Sequence, residues 1–238
     1  MPITAHAIAI LSDNYAWLLQ DGTGATAIVD PAERDPCIAA IEAAGGRLDM
    51  ILITHHHDDH IAAVDAVRAK YNCPVVGAAA DQRRLPHLDR AVVPGDTVML
   101  GHTPLAVIDT PGHTIGHIAY TGGGVLLSGD TLFSLGCGRL LEGTAADMFG
   151  SLQKFAALPP DTLVCCGHEY TKSNARFALH ADPANSALQA RAAEVDRLRA
   201  ANQATVPTRL AAELAENPFL RAPDVATLAT LRSQKDIF

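Results

Sequence analysis

Along the chain, apolar positions fall into two regimes. As far as about residue 170 they form short runs, at 3–11, 15–20, 25–30, 48–54, 74–76, 97–100, 105–109, 117–121, 124–128 and 162–166, which predict strands. Asp13-Asn14 and Asp21-Gly22 separate the first three runs and read as turns. Asp35-Pro36 opens a helix with Pro36 at its first position, and Gly45-Gly46 closes it. Ile61, Val64, Val67 and Tyr71 recur at helical spacing and predict one helix over 59–71. A further helix is expected over 144–157.

Beyond residue 170 no strand-like run remains. Leu188, Ala192, Val195 and Leu198 mark one face of a helix. Pro183, Pro207, Pro218 and Pro223 fit helix starts or stops. The pattern predicts a larger α/β domain over 1–170 and a small helical domain over 171–238.

Composition narrows the function classes. At 238 residues and 48% apolar, the chain buries a full core without disulfides or a structural metal. Its 18 basic against 26 acidic side chains, a net charge of -8, argue against nucleic acid or an anionic membrane as partner. No apolar run approaches the roughly 20 residues of a membrane span. No basic region precedes the N-terminal apolar run, so no signal peptide is expected. The cysteines (Cys37, Cys73, Cys137, Cys165, Cys166) are odd in number and lack a C-x-x-C, which fits a reduced, cytoplasmic chain. A monomer is expected.

The 11 histidines change the picture, because four of them, His55, His56, His57 and His60, lie within six positions. Moreover, four buried-strand runs end in metal-type side chains: ILIT before His55, AVIDTPG before His113, VLLSG before Asp130 and LVCCG before His168. Strands of one sheet gather their end residues along one edge, where open α/β sheets place ligands. His55 and His57 are two apart, so in an extended segment they point the same way. His56 alternates away from them. Imidazoles and carboxylates without thiolates suit zinc, iron or manganese and disfavour a closed cysteine site. His55, His57, Asp59, His60, His113, Asp130 and His168 are too many for one tetrahedral ion but fit two ions sharing a carboxylate.

H-x-H-x-D-H, followed by TPGHTIGH (110–117), GDTLFSLGCGRLLEGT (129–144) and CGHEYT (166–171), resembles the metallo-β-lactamase superfamily. With SDNYAWLL (12–19), NPFLR (217–221) and RSQKDIF (232–238), the likeness is to the glyoxalase II, or hydroxyacylglutathione hydrolase, family over nearly the whole chain. It implies a four-layer αβ/βα sandwich with a C-terminal helical substrate domain. It implies two divalent metal ions, zinc foremost with iron or manganese also suited. One would take His55, His57 and His113, the other Asp59, His60 and His168, with Asp130 bridging. Arg139, Tyr170, Arg232 and Lys235 match positions that hold glutathione in the family. The implied reaction is hydrolysis of S-(2-hydroxyacyl)glutathione thioesters such as S-(R)-lactoylglutathione by a hydroxide shared between the two ions, with Asp59 orienting it and taking its proton. Four positions depart from the family pattern: Asp58 adds a carboxylate, Leu141 replaces a residue that is often aromatic, and Ala62-Ala63 stand for the usual Gly-Gly. Two alternatives are a glutathione-persulfide dioxygenase with one iron, which would leave Asp59, His60 and His168 without metal duties, and a non-catalytic metal-binding protein.

Overall fold

The computed structural model describes residues 1–238 as strands β1 (Ile3–Ile10), β2 (Asn14–Asp21), β3 (Thr26–Val29), β4 (Met50–Leu52), β5 (Val75–Ala78), β6 (Arg90–Val92), β7 (Thr97–Leu100), β8 (Thr103–Asp109), β9 (Ile118–Gly122), β10 (Val125–Gly129), β11 (Leu132–Phe133), β12 (Gly136–Cys137), β13 (Leu163–Cys166) and β14 (Thr208–Arg209). The helices are α1 (Arg34–Ala43), α2 (Asp58–Ile61), α3 (Val64–Tyr71), α4 (Ala145–Ala156), α5 (Thr171–Ala181), α6 (Ser186–Ala200), α7 (Leu210–Glu216) and α8 (Val225–Asp236).

Two six-stranded sheets, in the orders β1-β2-β3-β4-β5-β6 and β14-β13-β10-β9-β8-β7, face each other. Trp17, Leu19 and Leu52 of the first pack with Leu105, Tyr120 and Leu127 of the second between the sheets. Outside the first sheet, Cys37 and Ile41 of α1 and Val64 and Val67 of α3 cover Ile28 and Ile51. Outside the second, Met148, Leu152 and Phe155 of α4 cover Leu126 and Val164, joined by Leu228 of α8. The result is the expected helix–sheet–sheet–helix order. Trp17, the chain's one tryptophan, ties the sheets together: it is 2% exposed and its Nε1 donates to the Cys166 carbonyl at 2.9 Å.

Strand direction decides where the polar ends go. β4 runs parallel to β3 and β5. In the other sheet β10 is parallel to β13 and antiparallel to β9, which is antiparallel to β8. So β8, β10 and β13 all point one way, and the segments leaving them meet the segment leaving β4 along one edge of the sandwich.

Four sequence expectations need correction. The helix over 59–71 is broken into α2 and α3, because the Ala63 N–H donates to the Pro31 carbonyl at 3.1 Å instead of one turn back. Asp59 and His60 therefore sit on a single-turn helix of their own. Pro36 stands third in α1, still within the first turn, where its missing N–H costs no helical bond. Asn14, read as a turn residue, is the first residue of β2. The segment after residue 170 is not free of strand: β14 pairs antiparallel with β13, Thr208 opposite Val164. Its two residues are too short a run for hydrophobic periodicity to register. Similarly β6 and the hairpin β11–β12 carry no apolar run that predicts them.

Replacing Trp17 by Phe leaves the Cys166 carbonyl unpaired and a void between the sheets. Unfolding free energy is expected to drop by about 2–4 kcal/mol, read as a lower urea midpoint by far-ultraviolet circular dichroism.

Candidate metal centre and adjoining pocket

Every sequence-predicted metal-type side chain lies at this edge. The His57 Nδ1 stands 3.1 Å from His55 Nε2 and 3.0 Å from His113 Nε2. A second trio follows: Asp59 Oδ2 is 3.8 Å from His60 Nε2 and 3.4 Å from His168 Nε2. Asp130 reaches both. Its Oδ2 lies 3.5 Å from His113 Nε2 and 3.3 Å from His168 Nε2, while its Oδ1 lies 3.4 Å from His60 Nε2.

Four of the five inward rings are aimed by a tether on the other side of the ring; His57 has none. His55 Nδ1 meets Thr54 Oγ1 at 3.0 Å, and His60 Nδ1 meets Asp30 Oδ2 at 3.1 Å. His113 Nδ1 donates to the Arg139 carbonyl at 2.9 Å, and His168 Nδ1 meets Asp13 Oδ1 at 3.0 Å. Such outer partners fix ring orientation at metal sites. Close packing permits the approach: a Cβ on Gly167 would sit 2.4 Å from Asp130 Oδ1, and Gly129, at φ +48°, would press one 2.6 Å from Thr54 Oγ1.

Three of the rings are held in the neutral form that can ligate a cation, while a cation at His60 would have to displace its proton. Burial, then the neighbouring imidazoles, hold His55 well below the usual histidine range, so its lone pair is free. Burial also lowers His57 and His113. Burial opposes a charge on His60, yet Asp130, Asp30 and Asp59 outweigh it and push its pKa up to about 9. Burial likewise opposes ionisation of Asp130, but His60, His168 and His113 hold it well below the carboxylate range. His60 Nε2 and Asp130 Oδ1 are buried without any hydrogen-bond partner. Buried polar atoms are seldom left so, and divalent cations would satisfy them along with the crowded imidazole lone pairs. The donor set therefore fits divalent metal ions.

His56 turns away from its neighbours, as alternation predicts, and its Nδ1 meets Asp81 Oδ2 at 3.0 Å. His117 lies behind the cluster, stacked on His55 at 4.7 Å, and its Nε2 accepts the Asp130 N–H at 3.1 Å. Asp58 is exposed and Leu141 is 53% exposed, so neither joins the cluster.

Asp13, Asn14 and Asp30 are the supporting residues that the sequence reading did not single out. Asn14 Nδ2 donates to Asp59 Oδ2 at 2.9 Å and to the Asp59 carbonyl at 3.1 Å. Asp30 accepts the Thr54 N–H at 2.8 Å and the Thr54 hydroxyl at 2.6 Å besides meeting His60. Asp30 closes a buried-strand run, the same signal that marks the other strand ends. Asp13 and Asn14 carry only turn character in the sequence.

Beside the cluster opens a cavity of about 310 Å³. His113 and Asp130 form one end, and Arg139, Tyr170, Arg232 and Lys235 line it. Tyr170 stacks on His168 with ring centroids 4.5 Å apart. Arg232 is buried, donating to the Cys137 carbonyl at 2.8 Å and pairing with Asp236 at 2.9 Å. Lys235 donates to Ser173 Oγ at 2.8 Å and the Ser173 carbonyl at 3.2 Å. Burial, with Arg232 and Arg176 nearby, lowers the Lys235 pKa.

Comparison with known proteins agrees with this geometry. Residues 10–168 match the model of the metallo-beta-lactamase superfamily, and residues 169–238 match that of the hydroxyacylglutathione hydrolase C-terminus. A hydroxyacylglutathione hydrolase of Acidiphilium cryptum is 57% identical over 99% of this chain and 97% of its own. Among solved structures, ETHE1 from Myxococcus xanthus superposes with a TM-score of 0.72 at 24% identity, over 98% of this chain and 90% of its own, a likeness of fold. A protein solved as TTHA1623 in a di-iron-bound form gives a TM-score of 0.60 at 27% identity, over 69% of this chain and 91% of its own. By both parts of its length, the chain belongs to the hydroxyacylglutathione hydrolase family of the metallo-β-lactamase superfamily.

Proposed function

We propose that the chain hydrolyses S-(2-hydroxyacyl)glutathione thioesters, S-(R)-lactoylglutathione among them, to a 2-hydroxy acid and glutathione. The observation that carries this reading is the junction of the histidine–aspartate cluster with a cavity holding Arg139, Arg232 and Lys235. A glutathione thioester needs both: a metal centre at the acyl carbon and cations for its two carboxylates. Residues 1–170 form the catalytic part and 171–238 the substrate-binding part.

Two divalent ions, zinc foremost, would be held by His55, His57 and His113 and by Asp59, His60 and His168, with Asp130 between them. When bound they lower the pKa of a coordinated water toward ~7 and polarise the carbonyl. Asp59 does the proton work. Asn14 fixes its Oδ2, and its Oδ1 is left to orient the attacking water and take its proton. Glutathione leaves as a thiolate, which needs little protonation at the moment of cleavage. Lys235 and Arg139 draw in the carboxylates, and the Tyr170 ring, stacked on His168, walls the peptide against the centre.

A dioxygenase with a single iron is not favoured: the chain's relatives carry the hydrolase name, and Asp59, His60 and His168 would stand idle. The cytoplasm is the proposed compartment and a monomer the proposed state; the five cysteines are free and buried, which suits a reducing compartment.

The direct test follows loss of the thioester absorbance on S-(R)-lactoylglutathione, with metal content measured on the same sample. Asp59→Ala should cut kcat by roughly 10²–10⁴-fold or lose metal; full metal content with unchanged turnover would falsify its role. Lys235→Ala should raise KM by about tenfold or more with kcat little altered, and an unmoved KM would take Lys235 out of the pocket. Removing the His60 tether by Asp30→Ala should weaken metal binding by roughly 10–100-fold, read by competition with a chromophoric chelator; undiminished affinity would show that the tether is dispensable.

A further inference from the structure

The cavity wall beside Tyr170 is the hairpin β11–β12, and its own pairing does little to hold it. Its strands match only Leu132 with Cys137 and Phe133 with Gly136. Leu135 at the tip adopts φ +58°, a left-handed conformation that costs a branched side chain free energy.

Side chains from beyond residue 170 hold this tip instead. Asn174 Nδ2 donates to the Ser134 carbonyl at 3.0 Å. Asn217 Nδ2 donates to the carbonyls of Phe133 at 3.2 Å and Gly136 at 3.0 Å. The Leu135 N–H donates to Glu213 Oε2 at 2.8 Å, and the same oxygen accepts from Asn217 Nδ2 at 3.0 Å. Glu213 is fully buried and its Oε1 has no hydrogen-bond partner. One oxygen of one side chain thus joins the strained residue to the amide that holds the carbonyls on either side.

The hairpin matters to the pocket through two residues. The Phe133 ring stands edge-on to Tyr170 at 5.3 Å and to His168 at 5.9 Å. Cys137 lines the cavity, and its carbonyl accepts from Arg232. Moving the tip moves the wall and loosens the Arg232 anchor.

We infer that Glu213 is a positioning residue for the thioester pocket: as acceptor for Leu135 and Asn217, it sets hairpin β11–β12 so that Phe133 and Cys137 shape the glutathione side. This rests on the hydrolase reading above. The carboxyl serves as a hydrogen-bond acceptor, and its charge is not required. Burial pushes the Glu213 carboxyl above its usual range, with Leu135 and Asn217 pulling the other way. An isosteric amide, which keeps one carbonyl oxygen at the Oε2 position, should therefore serve as well as the acid.

The test compares metal-loaded wild type with Glu213→Leu, Glu213→Asp and Glu213→Gln. Three quantities are measured: KM and kcat on S-(R)-lactoylglutathione, the Kd of glutathione by calorimetry, and hydrogen exchange of the Leu135 amide. Glu213→Leu is expected to raise KM and Kd by about tenfold while kcat stays within about threefold. Glu213→Gln should restore both, and Leu135 exchange should speed up in the Leu variant alone of these two. Glu213→Asp, which withdraws the acceptor by one methylene, should fall between and decides the matter if the Leu variant does not fold. Unchanged KM and Kd in the Leu and Asp variants would overturn the inference, leaving a purely structural residue. A Gln variant as weak as Leu would overturn it too, since charge would then be what counts. If wild type neither turns over nor binds glutathione, the hydrolase reading fails instead, and Leu135 exchange still reports whether the Glu213 contact sets the hairpin.

Discussion

The structure depends on bringing imidazole nitrogens to within about 3 Å of one another in a place that water barely reaches. Protonated rings would repel there, and untethered rings would turn to find other partners. Burial removes the first difficulty by keeping His55, His57 and His113 below their usual pKa range. Thr54, Asp30, Asp13 and the Arg139 carbonyl remove the second for four of the rings. These tethers come from four separate stretches of chain. Only a fold that delivers several strand ends to one edge meets this demand, and the common direction of β8, β10 and β13 is what delivers them.

Charge is arranged on two length scales. The whole molecule carries -8, which would repel an anionic peptide at long range, although salt screens such fields beyond roughly 8 Å. Within the cavity the sign reverses, with Arg139, Arg232 and Lys235 on the walls. Arg232 is mostly committed to the protein itself, through the Cys137 carbonyl and Asp236. Its guanidinium is preorganised rather than free, and an anion arriving there meets a donor array already held in place.

Much of this was legible in the sequence. Strand ends carrying His55, His113, Asp130 and His168 are a pattern in one dimension that becomes a cluster in three, though not within one sheet as the pattern suggests: β8, β10 and β13 align their ends, and the end of β4 meets them from the facing sheet. The four-layer arrangement followed from family likeness. What stayed hidden has a physical reason in each case. The break between α2 and α3 depends on a long-range bond from Ala63 to Pro31 that no periodicity encodes. Asp13 and Asn14 look like any turn, since residues that end strands and residues that anchor ligands share the same short polar side chains. Glu213 is a charged side chain at full burial, the opposite of the prior for its type, and only the fold reveals the Leu135 amide it meets. The short β14 has no pattern of its own and exists because β13 offers it an edge.

That small strand binds the two parts of the polypeptide more tightly than a linker would. β13 would otherwise present a row of bare peptide groups at the margin of the second sheet, and such margins recruit foreign strands. Here the covering comes from sequence that matches the other family model. The parts therefore share a sheet: a chain cut between the two matched regions would keep its histidine–aspartate edge yet leave the β13 flank bare.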